Sequence, residues 1–250
     1  MTLQEDLHLQ DQWTKISQQE LDKILEKHQA YLDNKEGGPR ARLGMHDLSY
    51  LDMEGRDLSR ADLTGAMLTH CNLEGAKLND TNFFAADLRF TNMVGAELNR
   101  VDLRGAYLAG ADMTPIVHED ATAGMEKTIL KGADMSRAKV SENLIVQTDM
   151  TDCILKNARF KGANLSMSNL TGCDLEGADF TNANLSGAIF HGAVFTSTVL
   201  DNADLSGVDG AAHLCEGRIE AAVEGQHDLC AQFLDLRGGL GALAEVGVDG

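Results

Sequence analysis

Carboxylates are the most abundant chemically capable groups in this chain, and they recur at a fixed interval rather than as a pair. Asp62, Asp174, Asp179 and Asp204 each stand immediately before a large apolar residue. General acid–base catalysis needs carboxyl groups in a pocket that differs from the rest of the surface. A carboxylate repeated in one local context is better suited to binding turn backbone, as Asp and Asn do. The eight histidines (His8, His28, His46, His70, His118, His191, His213 and His227) are scattered. None has the spacing to Cys, Asp or Glu that zinc needs. Cys215 and Cys230 are too far apart and too unaccompanied for a metal motif. There is no nucleophile motif, phosphate loop or dinucleotide fingerprint. The residues therefore read as a non-enzymatic protein without a metal or cofactor.

What positions these groups is a period of five. Ala61-Asp62-Leu63-Thr64-Gly65 and Ala183-Asn184-Leu185-Ser186-Gly187 show the unit: small, Asp or Asn, large apolar, polar, and often Gly. Centred on the large residue, one run goes from Leu43 to Met113 and a second from Met125 to Leu205. Met113 and Met125 are twelve apart, so the phase slips by two between the runs, near residues 114–124. The only two prolines, Pro39 and Pro115, stand at the edges of the first run, where ladder pairing is expected to stop. One large and one small inward residue per five fit neither the helix period of 3.6 nor the strand period of 2. They fit a chain that turns every five residues, with Gly65, Gly75, Gly105, Gly177 and Gly187 at corners that need positive φ.

On these residues the chain resembles the pentapeptide repeat proteins. The resemblance implies an all-β solenoid, a right-handed quadrilateral β-helix in which four pentapeptides make one square coil. About eight coils at ~4.8 Å would give a rod roughly 38 Å long. Residues twenty apart should then stack, Phe160 over Phe180 and Leu165 over Leu185, each coil being stabilised by its neighbours. Cys71, Cys153 and Cys173 occupy the small inward position and read as free core thiols.

The ends of a solenoid must be covered. Residues 1–40 form an N-terminal segment in which Ser17-Gln18-Gln19-Glu20 reads as a capping box. The helix it opens, about 18–34, carries Leu21, Ile24, Leu25, His28 and Leu32 on one stripe and is expected to end at Gly37-Gly38. Residues 41–207 are the repeat region. Residues 208–250 read as a small C-terminal helical cap, or a dimerisation segment joining two rods end to end, with a Gly-rich tail.

The net charge of −18 opposes nucleic-acid binding. No apolar stretch is long enough to span a membrane, and no signal peptide is apparent, so a cytoplasmic protein is expected. From Gly162 to Gly217 there is no Lys or Arg. The candidate partner surface is accordingly Asp174, Glu176, Asp179, Asp201 and Asp204, together with His118, Glu119 and Asp120 in the interruption. The leading expectation is a protein-binding or structural scaffold on a rigid acidic rod. The alternative, implied by the resemblance, is a DNA mimic that binds a type II topoisomerase such as DNA gyrase and inhibits it or protects it from quinolones. Arg56, Arg60, Lys77, Arg89, Arg100 and Arg104 in the first run depart from that alternative.

Overall fold

The computed structural model describes residues 13–35, 38–115, 125 and 128–210. Each pentapeptide in it bends once. At Leu63–Ala66 the Ala66 N–H donates to the Leu63 carbonyl at 3.0 Å, and Gly65, the third residue of that turn, has φ of 62°. The preceding carboxylate closes the same bend. Asp62 Oδ1 accepts from the Thr64 N–H at 3.2 Å and from its hydroxyl at 2.7 Å. The pattern repeats at Asp134 with Ser136, Asp179 with Thr181 and Asn184 with Ser186. The periodic carboxylates are thus turn-binding groups.

Between the bends, short extended segments pair in parallel with residues twenty further on. Asp62 bridges Asn82, Met67 bridges Asp87, Asn72 bridges Asn92 and Lys77 bridges Glu97. Four such pairings per twenty residues define four faces, which we number first to fourth in that order. Inside, the large residues form ladders such as Leu63, Phe83, Leu103, Leu130, Met150 and Leu170, all fully buried. Phe160 and Phe180 stack with centroids 4.9 Å apart and planes 10° apart, as their spacing predicts. At the small position, several side chains that carry a donor use it on the coil below, whereas Thr91 donates within its own turn to the Leu88 carbonyl. Cys71 donates to the Leu48 carbonyl, Thr81 to Leu58, Cys153 to Leu130 and Cys173 to Met150. Cys71, Cys153 and Cys173 are buried free thiols. Burial pushes the Cys71 thiol up to about 12, and the hydrogen bond with Cys173, with burial, raises Cys153.

The phase slip has a definite size. Asp102 bridges Ile129, Tyr107 bridges Asp134 and Asp112 bridges Lys139, so these pairs lie 27 apart instead of 20, an excess of seven residues. Side-chain bonds cross the slip by the same excess. Thr128 donates to the Leu98 carbonyl and Asn143 to the Met113 carbonyl, 30 residues away where Thr81 and Cys71 reach 23.

The N-terminal elements lie on the first coil. β1 (Thr14–Lys15) pairs in parallel with β2 (His46–Asp47). This strand has no periodic signal in the sequence. Between them, α1 (Gln18–Leu32) begins at the capping box of Ser17 and Glu20 and buries Leu21, Leu25 and His28. Its end corrects the expectation of a Gly37-Gly38 stop. Asn34 takes the left-handed conformation at φ 54°. The Lys35 N–H reaches the Ala30 carbonyl and the Asn34 N–H that of Tyr31, a Schellman arrangement with Asn in the usual glycine position. The side chains of α1 then satisfy backbone groups of the first coil. Gln18 donates to the Asp52 carbonyl at 2.8 Å and accepts from the Asp52 N–H at 2.9 Å, as a neighbouring strand residue would. His28 Nδ1 accepts from the Ala41 N–H at 3.1 Å, which fixes Nε2 as the donor to the Ser59 carbonyl at 3.1 Å.

Candidate functional site

With the inward positions filled, chemistry is left to the outer surface. The sequence-derived acidic candidates are distributed over three faces. Asp174 and Glu176 flank Leu175 on the second face, where Lys156, one coil earlier, lies 3.0 Å from Asp174 and 2.6 Å from Glu176. Those two carboxylates hold the Lys156 ammonium above its usual range, Glu176 contributing most. The stretch without basic residues is therefore partly neutralised by a lysine from the coil beneath. Asp179 and Asp201 share the third face. The Asp179 carboxylate is engaged by the Thr181 N–H at 2.9 Å and its hydroxyl at 2.6 Å. Asp204 lies on the fourth face, and its bonds from Ser206 hold it below the ordinary carboxylate range. His118, Glu119 and Asp120, and the segment 211–250, lie outside the described residues. Among the described residues no His, Cys, Asp and Glu group has metal-holding geometry, and no helix is long and apolar enough to cross a membrane.

The structure also assembles a site that the five-residue reading leaves dispersed. Tyr50, His70 and Phe90 occupy one corner, between the second and third faces, on consecutive coils. Their rings stack at 5.0 Å for each step, with planes 10° and 13° apart. All three sit in the left-handed region, at φ 64°, 58° and 60°. The next rung of the corner is Gly110, where a Cβ would lie 2.6 Å from the Phe90 ring. The signal for this ladder is the spacing of twenty between three aromatic rings. A register counted in fives hides it.

The third face beside the ladder carries Asp52, Glu54 and Glu74, tied together by side-chain amides. Asn72 Nδ2 donates to Asp52 at 3.0 Å and to Glu54 at 3.2 Å, and Asn92 Nδ2 to Glu74 at 3.0 Å. On the second face Arg89 is held by Asp87 through two bonds, at 2.8 and 2.6 Å.

Such an assembly defines a parallel β-solenoid of four-sided coils whose described polar groups serve its turns and its surface. The family model for pentapeptide repeats matches residues 47–84, 81–114, 146–177 and 173–209, in eight copies. Merged, these spans are 47–114 and 146–209, more than half of the chain, and the chain belongs to the pentapeptide repeat family. Among solved structures it is similar to HetL, a pentapeptide repeat protein involved in heterocyst differentiation regulation from the cyanobacterium Nostoc sp. strain PCC 7120. The identity is 24%, the TM-score 0.51, and the match covers 68% of this chain and 82% of HetL. It is also similar to QnrB1, a plasmid-mediated fluoroquinolone resistance protein, at 22% identity and TM-score 0.43, over 74% of this chain and 94% of that one. No curated protein matches the chain significantly.

Proposed function

We propose that this chain is a non-enzymatic, cytoplasmic scaffold that binds a protein partner on the outer faces of an acidic β-helical rod of about eight coils. In this reading α1 covers one end. Residues 208–250 cover the other or join two rods end to end, and the interruption at 114–124 contributes specificity. The supporting observation is the division of labour between inside and outside. The described buried side-chain polar atoms all have partners, while large apolar side chains such as Tyr50, Phe90, Tyr107, Met167 and Val194 stand exposed. Where such side chains are contiguous, as in the stacked Tyr50–His70–Phe90 set, they support an interaction role.

An in-cell crosslinking pull-down with the full chain tests this. A distinct partner should be recovered and then lost when residues 114–124 or α1 are deleted. Recovery of the same background proteins by all three forms would count against a scaffold and leave a purely structural rod. The gyrase-binding DNA mimic is the second reading, motivated by the absence of Lys and Arg from Gly162 to Gly217. It requires salt-dependent gyrase binding that disappears when Asp174, Asp179, Asp201 and Asp204 are neutralised together. Unchanged supercoiling and quinolone poisoning at low salt would eliminate it.

A further inference from the structure

Three aromatic residues occupy a corner where the backbone favours glycine. A side chain at left-handed φ carries a conformational cost that bulky residues seldom bear. Here the cost brings no core packing, because Tyr50 is 74% and Phe90 57% exposed. It yields instead a preformed strip of rings, held in register by stacking and by the space that Gly110 leaves under Phe90. Along one side run the carboxylates of Asp52, Glu54 and Glu74, positioned by Asn72 and Asn92. Among the described residues none of these three carboxylates takes part in an ion pair. Beyond them the corner is formed by Gly55 and Gly75, at which an added Cβ would meet nothing within 4 Å, so that edge is open.

We propose that the Tyr50–His70–Phe90 ladder and the acidic third face beside it form a docking strip for an extended, arginine-bearing segment of a protein partner. This rests on the scaffold reading and gives it a surface and a partner chemistry. Arginine is the side chain that suits both halves. The stack takes up the ring faces between Tyr50, His70 and Phe90. The planar guanidinium would therefore lie on the outer face of Tyr50, 74% exposed at the end of the ladder. It would bind the carboxylates through a two-pronged contact, which a lysine ammonium cannot reproduce. A neutral segment would forgo the carboxylates. A nucleic acid would place phosphates against them on a chain of net charge −18.

The test uses the full chain and a fluorescein-labelled peptide of alternating arginine and serine, titrated by fluorescence anisotropy at low salt. Matched peptides carry lysine or citrulline in place of arginine, and a single-stranded oligonucleotide is the third comparison. Tyr50→Gly with Phe90→Gly removes the rings while placing the residue that left-handed φ favours, so the fold is not put at risk. Glu54→Gln with Glu74→Gln removes charge at nearly constant shape. The arginine peptide is expected to bind the parent, and about two- to fivefold more weakly to each double variant. That is the size of an exposed ring–cation contact for the ring pair and of exposed ion pairs for the carboxylate pair. The lysine and citrulline peptides should bind more weakly than the arginine peptide. Equal binding to parent and ring-deleted chain would overturn the proposal, exposing attraction to net charge alone. Absence of peptide binding, or ladder-dependent binding of the oligonucleotide instead, would overturn it as well. If it fails while the crosslinked partner is still lost on deleting 114–124 or α1, only the docking strip falls and the scaffold reading stands.

Discussion

At the scale of single residues, the left-handed corners are filled in two ways that carry different costs. Gly75 and Gly110 have φ of 62° and 73°, but an added Cβ meets nothing within 4 Å at Gly75 and the Phe90 ring at 2.6 Å at Gly110. Gly75→Ala should therefore cost only the left-handed backbone term, about 1 kcal/mol. Gly110→Ala should cost that plus the ring stack, because Phe90 must swing away from His70, a further ~1 kcal/mol. In the Phe90→Gly background the extra loss should vanish, giving a coupling of about 1 kcal/mol in a double-mutant cycle read from urea midpoints. Equal losses at the two glycines would mean that Phe90 does not rest on Gly110. The role of the repeated Asp was legible in the sequence because its cause is local: Asp62 binds the turn two residues ahead. The role of Tyr50 was not, since its neighbours His70 and Phe90 are chosen by pairing across coils.

At the scale of elements, the start of α1 and its end near Asn34 were legible, and the residue that makes the stop was not. Ser17 and Glu20 cap each other within four residues, whereas the stop is taken by Asn34 because Asn tolerates left-handed φ almost as glycine does. β1 left no trace in the sequence. Two residues carry no periodicity, and their pairing exists only because the first coil presents an unpaired edge. What locks α1 onto that coil is His28, with Ser59 and Ala41 backbone groups at its two nitrogens and Tyr31 stacked on it at 5.7 Å. Burial, above all, lowers its pKa from the usual 6.5; the Ser59 carbonyl and Asp57 oppose this, and Arg40 assists it. A base whose folded pKa is depressed contributes its stability fully above the unfolded value and loses it as pH falls below 6.5 and through the folded value. Protonated Nδ1 can no longer accept from Ala41. Amide-exchange protection factors at Ala41 and along α1 should thus drop as pH falls below 6.5 while the distant Phe160–Phe180 coils hold. His28→Phe should lower protection at all pH and flatten the profile. A parent chain with pH-independent protection there would sink the latch. A second element-scale outcome follows from the capping box: Ser17→Ala should destabilise α1 by about 1 kcal/mol without affecting the coils.

At the scale of the whole molecule, a period of five was enough to read the ladders, because each pentapeptide repeats the same inward pair. It reported the slip only as two residues. Pairing at 27 in place of 20 shows that one coil carries seven extra residues between Met113 and Met125. The faces resume on the far side. Leu103 still donates to the Ile129 carbonyl at 2.8 Å and Leu108 to that of Asp134 at 2.6 Å. These are no longer than the 2.8 Å of Phe83 to Asp102 and the 2.7 Å of Leu88 to Tyr107 in regular coils. The buried Thr128 and Asn143 donors also still reach the coil below. The seven residues are therefore not required by the ladders. Deleting residues 117–123 would bring Leu98 and Met125 to the regular spacing of twenty and Thr128 to the 23-residue reach of Thr81. Loop-closure entropy favours the shorter connection, by well under 1 kcal/mol for such a change. The shortened rod should accordingly unfold in one transition, with a urea midpoint equal to or slightly above that of the parent. If the scaffold reading holds, it should have lost its crosslinked partner. Two separated unfolding transitions would show that the extra residues are what couples the coils before and after the slip, and that the continuity of the four faces is not sufficient to do so.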